Sequence, residues 1–227
     1  MQLLQEGIAS HGYTVFAHQQ TAGKGQRGKV WNTAPNSNIM VSVVLDTSFL
    51  QIHQQFLLSM AVANAVHEFF GHFAGDETRT KWPNDIYWQN RKAGGILIEN
   101  IVRGSEWKWA VAGIGLNINQ TSFPEHLNRA VSLKQITGKD FDVVDLAKKL
   151  CVYLDKYYQQ LKTNNVEHLL LQYNRFLYKR NEQVKLKKEN IVFNCTIDGV
   201  NRNGQLLVSG GLYNEFSFGE VEWIIEQ

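Results

Sequence analysis

Gln19-Gln20-Thr21-Ala22-Gly23-Lys24-Gly25-Gln26-Arg27-Gly28-Lys29-Val30-Trp31 is the stretch on which the fold turns. Gly23, Gly25 and Gly28 permit a tight turn and a close approach to a ligand, and Lys24, Arg27 and Lys29 bring three cations to the same place. Such a loop can wrap an anion. Its glycines follow the Gly-x-Gly-x-x-Gly spacing of dinucleotide-binding turns, and with Val30 they match the glycine-rich loop of protein kinases. Context excludes both. A dinucleotide fold needs a helix to start at the third glycine, whereas Pro35 and the run Asn36-Ser37-Asn38 follow, so Asp46 has no case as a ribose ligand. The strand lysine, His-Arg-Asp and Asp-Phe-Gly segments of a kinase are missing. A solvated hairpin loop is the plain alternative.

The chain has 227 residues, of which 44% are hydrophobic and 11% aromatic, enough for one large domain and a small one. Its formal net charge is only +2, so there is no global field of the kind that marks a general nucleic-acid binder. Any anion site is therefore local. Cys151 and Cys195 lack metal-ligand spacing and read as buried reduced thiols. No leader pattern or bilayer-length apolar run is visible, so the expected location is the cytoplasm.

Working outward from the loop, Met1 to His11 reads as a helix stopped at Gly12, and Tyr13 to His18 as a strand. Ile39 to Leu45 is a nearly continuous apolar run, as expected of a buried strand. Gln51 to Phe70 reads as a long helix ended by Gly71. Within it, His67-Glu68-Phe69-Phe70-Gly71-His72 is a near miss to a zinc-protease helix. The second histidine comes one position too late to share the first one's face. From Thr78 to Asn117 the period changes to an antiparallel meander with a turn at Gln89-Asn90-Arg91. Helices follow over Val143 to Leu161 and Val166 to Tyr178. Beyond Arg180, five short strands separated by Asn203-Gly204 and Gly210-Gly211 turns predict a small barrel packed on the rest, which divides the chain into 1–179 and 180–227. No repeat is evident.

Three further blocks settle the context of the loop. They are Lys81-Trp82-Pro83-Asn84-Asp85-Ile86, then Arg91-Lys92-Ala93-Gly94-Gly95-Ile96-Leu97-Ile98-Glu99, then Gly113-Ile114-Gly115-Leu116-Asn117-Ile118-Asn119. With the glycine-rich loop, and in this order and spacing, they resemble the signature blocks of biotin protein ligases, along the whole chain. The resemblance is to the monofunctional type, since no helix-turn-helix pattern precedes the blocks. It implies an α+β fold in which a mixed or antiparallel sheet packs with helices, as in class II synthetases, followed by a small SH3-like β-barrel. It also implies a strand and turn carrying Ser/Thr-Thr-Asn ahead of the loop, which this sequence lacks. The expectation is that the chain begins at an internal methionine; the alternative is a site short of one wall and a sheet with an unpaired edge.

The chemistry so implied joins a carboxylic acid to an amine by way of an acyl adenylate, with ATP as the source of activation. A carboxylate and a phosphate repel, so the catalyst must supply cations and N–H donors where they meet, each charge-assisted hydrogen bond contributing about 1.5 to 3 kcal/mol. Gly23 to Lys29, Lys81 and Lys92 provide that inventory without a Walker A sequence. By resemblance, Lys92 bridges carboxylate and phosphate, and Asp85 orients it or helps hold a Mg²⁺ that otherwise sits on phosphates and water. Taken alone, Lys92 would be a solvated turn lysine and Asp85 a turn cap. Gln20, Lys24, Gly25, Gln26, Lys92 and Gly95 match positions that line biotin. Gly23, Arg27, Lys29, Trp31 and Asn117 match positions on the nucleotide side. Lys24 and Gln26 each stand where arginine is common, the first keeping charge without the fork geometry. Trp82 and Trp109 are assigned no chemistry. The loop is expected to order over biotin and shield the adenylate from water.

The implied partners are biotin, ATP and a lysine on a biotin carboxyl carrier protein, with no membrane and no specific nucleic acid, in a monomer or homodimer. A lipoate or octanoate transferase is the nearest alternative, but it would not be expected to carry this loop together with Lys-Trp-Pro-Asn-Asp. A non-catalytic biotin-binding protein is another. A third is a nucleic-acid module built on Lys185, Lys187 and Lys188, which steeply salt-dependent binding would reveal.

Overall fold

The computed structural model describes residues 2–28, 31, 33–104 and 106–224. The chain opens on a one-turn helix, α1 (Gln2–Gln5), and not on the helix to His11 that its apolar spacing predicts. Gly7 is the reason. At φ +73 it adopts the left-handed conformation, and the bonds Gly7 N to Leu4 O and Ile8 N to Leu3 O close the turn as a Schellman motif.

Six strands make the large sheet. They are β1 (Thr14–Phe16), β2 (Asn38–Asp46), β3 (Thr78–Lys81), β4 (Asp85–Trp88), β5 (Arg91–Arg103) and β6 (Glu106–Asn117), in the spatial order β1-β2-β6-β5-β4-β3 with every neighbour antiparallel. Alternation along the strands sorts the side chains by face. Ile39, Val41, Val43 and Leu45 share one face with Ile86, Ile96, Ala112, Ile114 and Leu116, all buried in the main core. Helices α2 (Gln55–Ala74), α4 (Val143–Lys162) and α5 (Val166–Arg175) supply most of the helical side of that core, and the short α3 (Leu133–Thr137) adds Leu133.

Helix α2 runs through Gly71, contrary to expectation, and stops at Gly75 (φ +81). A glycine inside a helix costs about 1 kcal/mol, which the packing of a largely buried helix offsets. Helix α5 likewise ends at Arg175, short of Tyr178. The residues after it leave the helix to run beside β3, with Thr80 N bonded to Phe176 O and Tyr178 N to Thr80 O. The edge of the sheet is thereby covered.

The opposite face of the sheet carries Met40, Ser42, Gly95, Leu97, Gly113 and Gly115. One end of it is roofed by the start of the chain, where Leu4 and Ala9 pack with Val44, Ile101, Trp109 and Val111. At the glycine end the Trp31 ring lies over Gly115.

The second sheet comprises β7 (Gln183–Lys188), β8 (Ile191–Val200), β9 (Leu206–Ser209), β10 (Glu215–Phe216) and β11 (Glu222–Ile224), ordered β10-β9-β8-β7-β11. It is small, antiparallel and barrel-like, as the turn spacing predicts. Its attachment is specific. The indole N–H of buried Trp82 donates to Gly204 O at 2.9 Å, and Asn174 at the end of α5 both donates to Val200 O (2.9 Å) and accepts from Val200 N (2.7 Å). Both cysteines are free; Cys195 is buried, whereas Cys151 is half-buried, a partial correction to the expectation.

Candidate functional site

Lys92 and Asp85 form an ion pair of 2.6 Å on the open face. The meeting depends on a bulge. Lys92 lies three residues from Gly95, and strict alternation would put the two on opposite faces. Instead the pairing slips between Ile86 and Tyr87, so that Asp85 faces Gly95 while Tyr87 faces Lys92 and Ala93 is skipped. Asp85, Tyr87, Lys92 and Gly95 therefore share one face. A Cβ at position 95 would lie in ordinary contact, 3.4 Å from Asp85 Oδ1 and 3.6 Å from Lys92 Nζ, so glycine there keeps the space beside the pair open. The main chain of Lys92 is fixed by Arg129 O and Val131 N on the loop before α3.

The glycine-rich loop closes over this point. Gln26–Gly28 form a single 3-10 turn, and Trp31 N donates to Gly23 O at 2.9 Å. Gly23 is buried against the Trp31 carbonyl and, at 2.7 Å from a Cβ built upon it, Gln20 Oε1. The Trp31 ring lies on Gly115, where a Cβ would come within 2.7 to 2.9 Å of its atoms, and Lys92 Nζ is 6.0 Å from the ring centroid. Lys24 is exposed, and Gly25 and Gln26 are half-buried. Lys29 and the Arg27 side chain lie outside the described residues.

Lys81 stands directly opposite Asp85 in the register, on the same face. Its ammonium sits 3.4 Å from the Tyr87 hydroxyl, 4.9 Å from the Tyr87 ring centroid and 5.3 Å from that of Trp223 on β11. Burial, reinforced by the neighbouring Asp85 carboxylate, pushes the Tyr87 phenol well above its ordinary value, so it stays protonated. Tyr87, Trp223 and Tyr178, whose ring leans on both, are missing from the expectation. Tyr87 was within reach of it, being two residues from Asp85 on an alternating strand. Trp223 was not, because it reaches the site from the other sheet.

The site is rich in donors. Among the described residues the buried indole nitrogens of Trp31 and Trp223 have no hydrogen-bond partner, and the ammonium groups of Lys92 and Lys81 stand on the same face. Such a site suits a ligand with several anionic oxygens. Asn117 is buried behind it, its amide nitrogen donating to Val131 O (3.2 Å) and weakly to Lys92 O (3.5 Å), so its amide N–H groups hold the loop that fixes Lys92.

The histidine motif of α2 lies elsewhere. His67 Nε2 is 3.0 Å from Thr78 O and its ring stacks on Phe176. Burial lowers its pKa to about 4. Among the described residues no group of three or more histidine, cysteine or acidic side chains is placed to hold a metal ion. No helix of the described residues is long and apolar enough to cross a membrane.

The family model for the biotin/lipoate A/B protein ligase family matches residues 2–117, a span that contains the glycine-rich loop, the next two blocks and the third as far as Asn117. The chain belongs to that family. It is 28% identical over 208 residues to the bifunctional ligase/repressor BirA of Bacillus subtilis, covering 90% of this chain and 64% of that protein. Over a shorter span of 125 residues it is 31% identical to the biotin–[acetyl-CoA-carboxylase] ligase of Mycobacterium tuberculosis, covering 54% of this chain and 44% of that one. A biotin protein ligase from Aquifex aeolicus, solved in complex with biotin and ATP, superposes with a TM-score of 0.81 at 25% identity, over 97% of this chain and 92% of that one. This chain thus spans about two thirds of the Bacillus relative.

Proposed function

We propose that the chain is a biotin protein ligase, which activates biotin with ATP to biotinyl-5'-adenylate and passes the biotinyl group to a lysine of a biotin carboxyl carrier protein. The observation that carries this reading is the Lys92–Asp85 pair beside Gly95, on an open, glycine-lined face whose counterpart in the Aquifex fold belongs to a protein complexed with biotin and ATP.

The chemistry follows from the inventory. An ammonium has three donors. One of Lys92's is given to Asp85, which fixes the group, and two remain for a carboxylate oxygen and an α-phosphate oxygen. As the carboxylate attacks phosphorus and pyrophosphate leaves, the charge on the five-coordinate phosphorus is spread onto Lys92. The carrier lysine then attacks the acyl carbon and AMP leaves. Gly95 admits the apolar tail of biotin against the backbone, with Gln20, Lys24, Gly25 and Gln26 around its ring. Gly23, Arg27, Lys29, Trp31 and Asn117 form the nucleotide side, and Lys81 joins Lys92 and Asp85 as the third catalytic group. Residues 1–179 carry this site and 180–227 form the barrel that closes it. With Asp85 committed to Lys92, Mg²⁺ enters on the phosphates of ATP.

The test is pyrophosphate release by the purified chain with Mg-ATP, with and without biotin, and with lipoate in its place. Release that requires biotin and is abolished in Lys92→Ala supports the reading. Release with lipoate alone moves the chain to the other branch of its family, and biotin binding without release makes it a non-catalytic binder.

A further inference from the structure

We infer that Gln120, which directly follows the third block, is a positioning residue that holds the glycine-rich loop closed on the sheet. The inference deepens the ligase reading and rests on it for what the loop binds. Trp31 is where the loop meets the sheet, and from there the chain must return to the start of β2 at Asn38. Gln120 ties down that return limb. Its Oε1 accepts from the Ala34 main-chain N–H (3.2 Å) and from the Asn38 side-chain amide (2.7 Å), while its Nε2 donates to Ser122 O (2.9 Å). An amide turned the other way would set its own N–H groups against two donors, so the network admits this orientation alone.

The surroundings make the tie rigid. Asn38 is buried, and its Oδ1 accepts from Ile118 N at 2.8 Å. Asn119 N donates to Ser37 O at 2.7 Å, so the extension of β6 grips the limb at neighbouring positions. The two feet of the loop are also bound to each other, Asn36 N donating to His18 O (2.8 Å) and Asn36 Oδ1 lying 2.9 Å from His18 Nδ1. Holding one foot therefore holds both. Toward Trp31, the Thr33 hydroxyl reaches only the Met40 sulfur, a weak acceptor, at 3.0 Å. The Ala34 bond to Gln120 is thus the strong tie nearest the Trp31 ring. Without the Gln120 oxygen, the Ala34 N–H loses its acceptor while the loop is closed and gains water when it opens, so the cost falls on the closed position.

The experiment compares the full chain with Gln120→Met, which keeps the reach of the side chain and removes the acceptor, and with Asn119→Ala. Asn119 is the matched control, because its side chain pairs with the Phe141 main chain just before α4, donating at 2.8 Å and accepting at 3.1 Å. The measurements are Mg-ATP and biotin affinity by calorimetry, tryptic cleavage between Lys24 and Lys29 without ligand, and thermal melts. Gln120→Met is expected to bind ATP about five- to fiftyfold more weakly and to be cleaved faster in step, since one closing equilibrium governs both. Biotin affinity should fall as well, because Gln20, Lys24, Gly25 and Gln26 ride on the same loop. Asn119→Ala should melt lower, with affinity and cleavage as in the wild type. Wild-type affinity and cleavage in Gln120→Met, or equal losses in both variants, overturn the inference and leave the ligase reading standing. Faster cleavage with both affinities intact does the same, since it separates the loop from the ligands. A wild-type chain that binds neither Mg-ATP nor biotin overturns both, and one that binds them but releases no pyrophosphate overturns the adenylation reading alone.

Discussion

Gly115→Ala tests the architecture of the site at the point where loop and sheet touch. The added Cβ would lie 2.7 Å from Trp31 Cε2, 2.8 Å from Cζ2 and 2.9 Å from Nε1. Carbon atoms in contact sit at about 3.5 Å or more, so the ring must rise by roughly 0.8 Å or swing away, and the loop from Gly23 must follow through the Trp31 to Gly23 bond. The backbone at Gly115 does not need a positive φ, so no conformational strain confuses the result. Gly113→Ala, one alternation away on the same strand and face, is the matched control. Its Cβ would meet only Leu97 O, at 3.4 Å, and Leu97 Cβ, at 4.0 Å. Removing a glycine's unfolded-state freedom stabilises by about 0.4 to 1 kcal/mol where the site accepts the methyl. Gly113→Ala should therefore melt at or slightly above the wild-type temperature. Overpacking against Trp31 costs about 1 to 3 kcal/mol, and much of that falls on the closed position of the loop, so Gly115→Ala should bind ATP about five- to a hundredfold more weakly. The assay is calorimetric titration of both variants with Mg-ATP, with thermal melts alongside. Equal affinities in the two variants would falsify the placement of Trp31 on Gly115.

Two further outcomes follow from the packing and burial of other residues. Gly94→Ala should lose about 2 to 4 kcal/mol in urea unfolding, because its Cβ would strike the Leu116 side chain and come within 2.6 Å of the Gly115 carbonyl, which is backbone and cannot step aside; a stability loss under 1 kcal/mol counts against that packing. For His67 the folded pKa of about 4 lies below the unfolded value of 6.5, so between these limits the unfolded chain binds the extra proton. The contribution is whole above pH 6.5 and is lost as pH falls toward 4, with a slope of at most about 1.4 kcal/mol per pH unit. Urea melts of wild type and His67→Gln across that range should show this component of the slope in the first and not the second.

The sequence alone was enough for the fold class and for most elements. The apolar run over Ile39 to Leu45, the meander from Thr78 and the Asn-Gly and Gly-Gly turns each carry a local period that depends on neighbours in the chain. Helix ends were read less well, at Gly7, Gly71 and Arg175, because a stop depends on which glycine turns left-handed and on what the next residues can pair with. The Lys92 and Asp85 blocks were also legible, as motifs. That the two side chains meet was decided by the bulge at Ile86 and Tyr87, a slip in pairing between strands that no one-dimensional alternation records. The seat of Trp31 on Gly115 and the rings around Lys81 join residues 84 and 142 positions apart along the chain, and only the packing of the loop and the barrel against one sheet face brings them together. Local preference determines elements; which side chains share a site is set by register and by surfaces folded over one another.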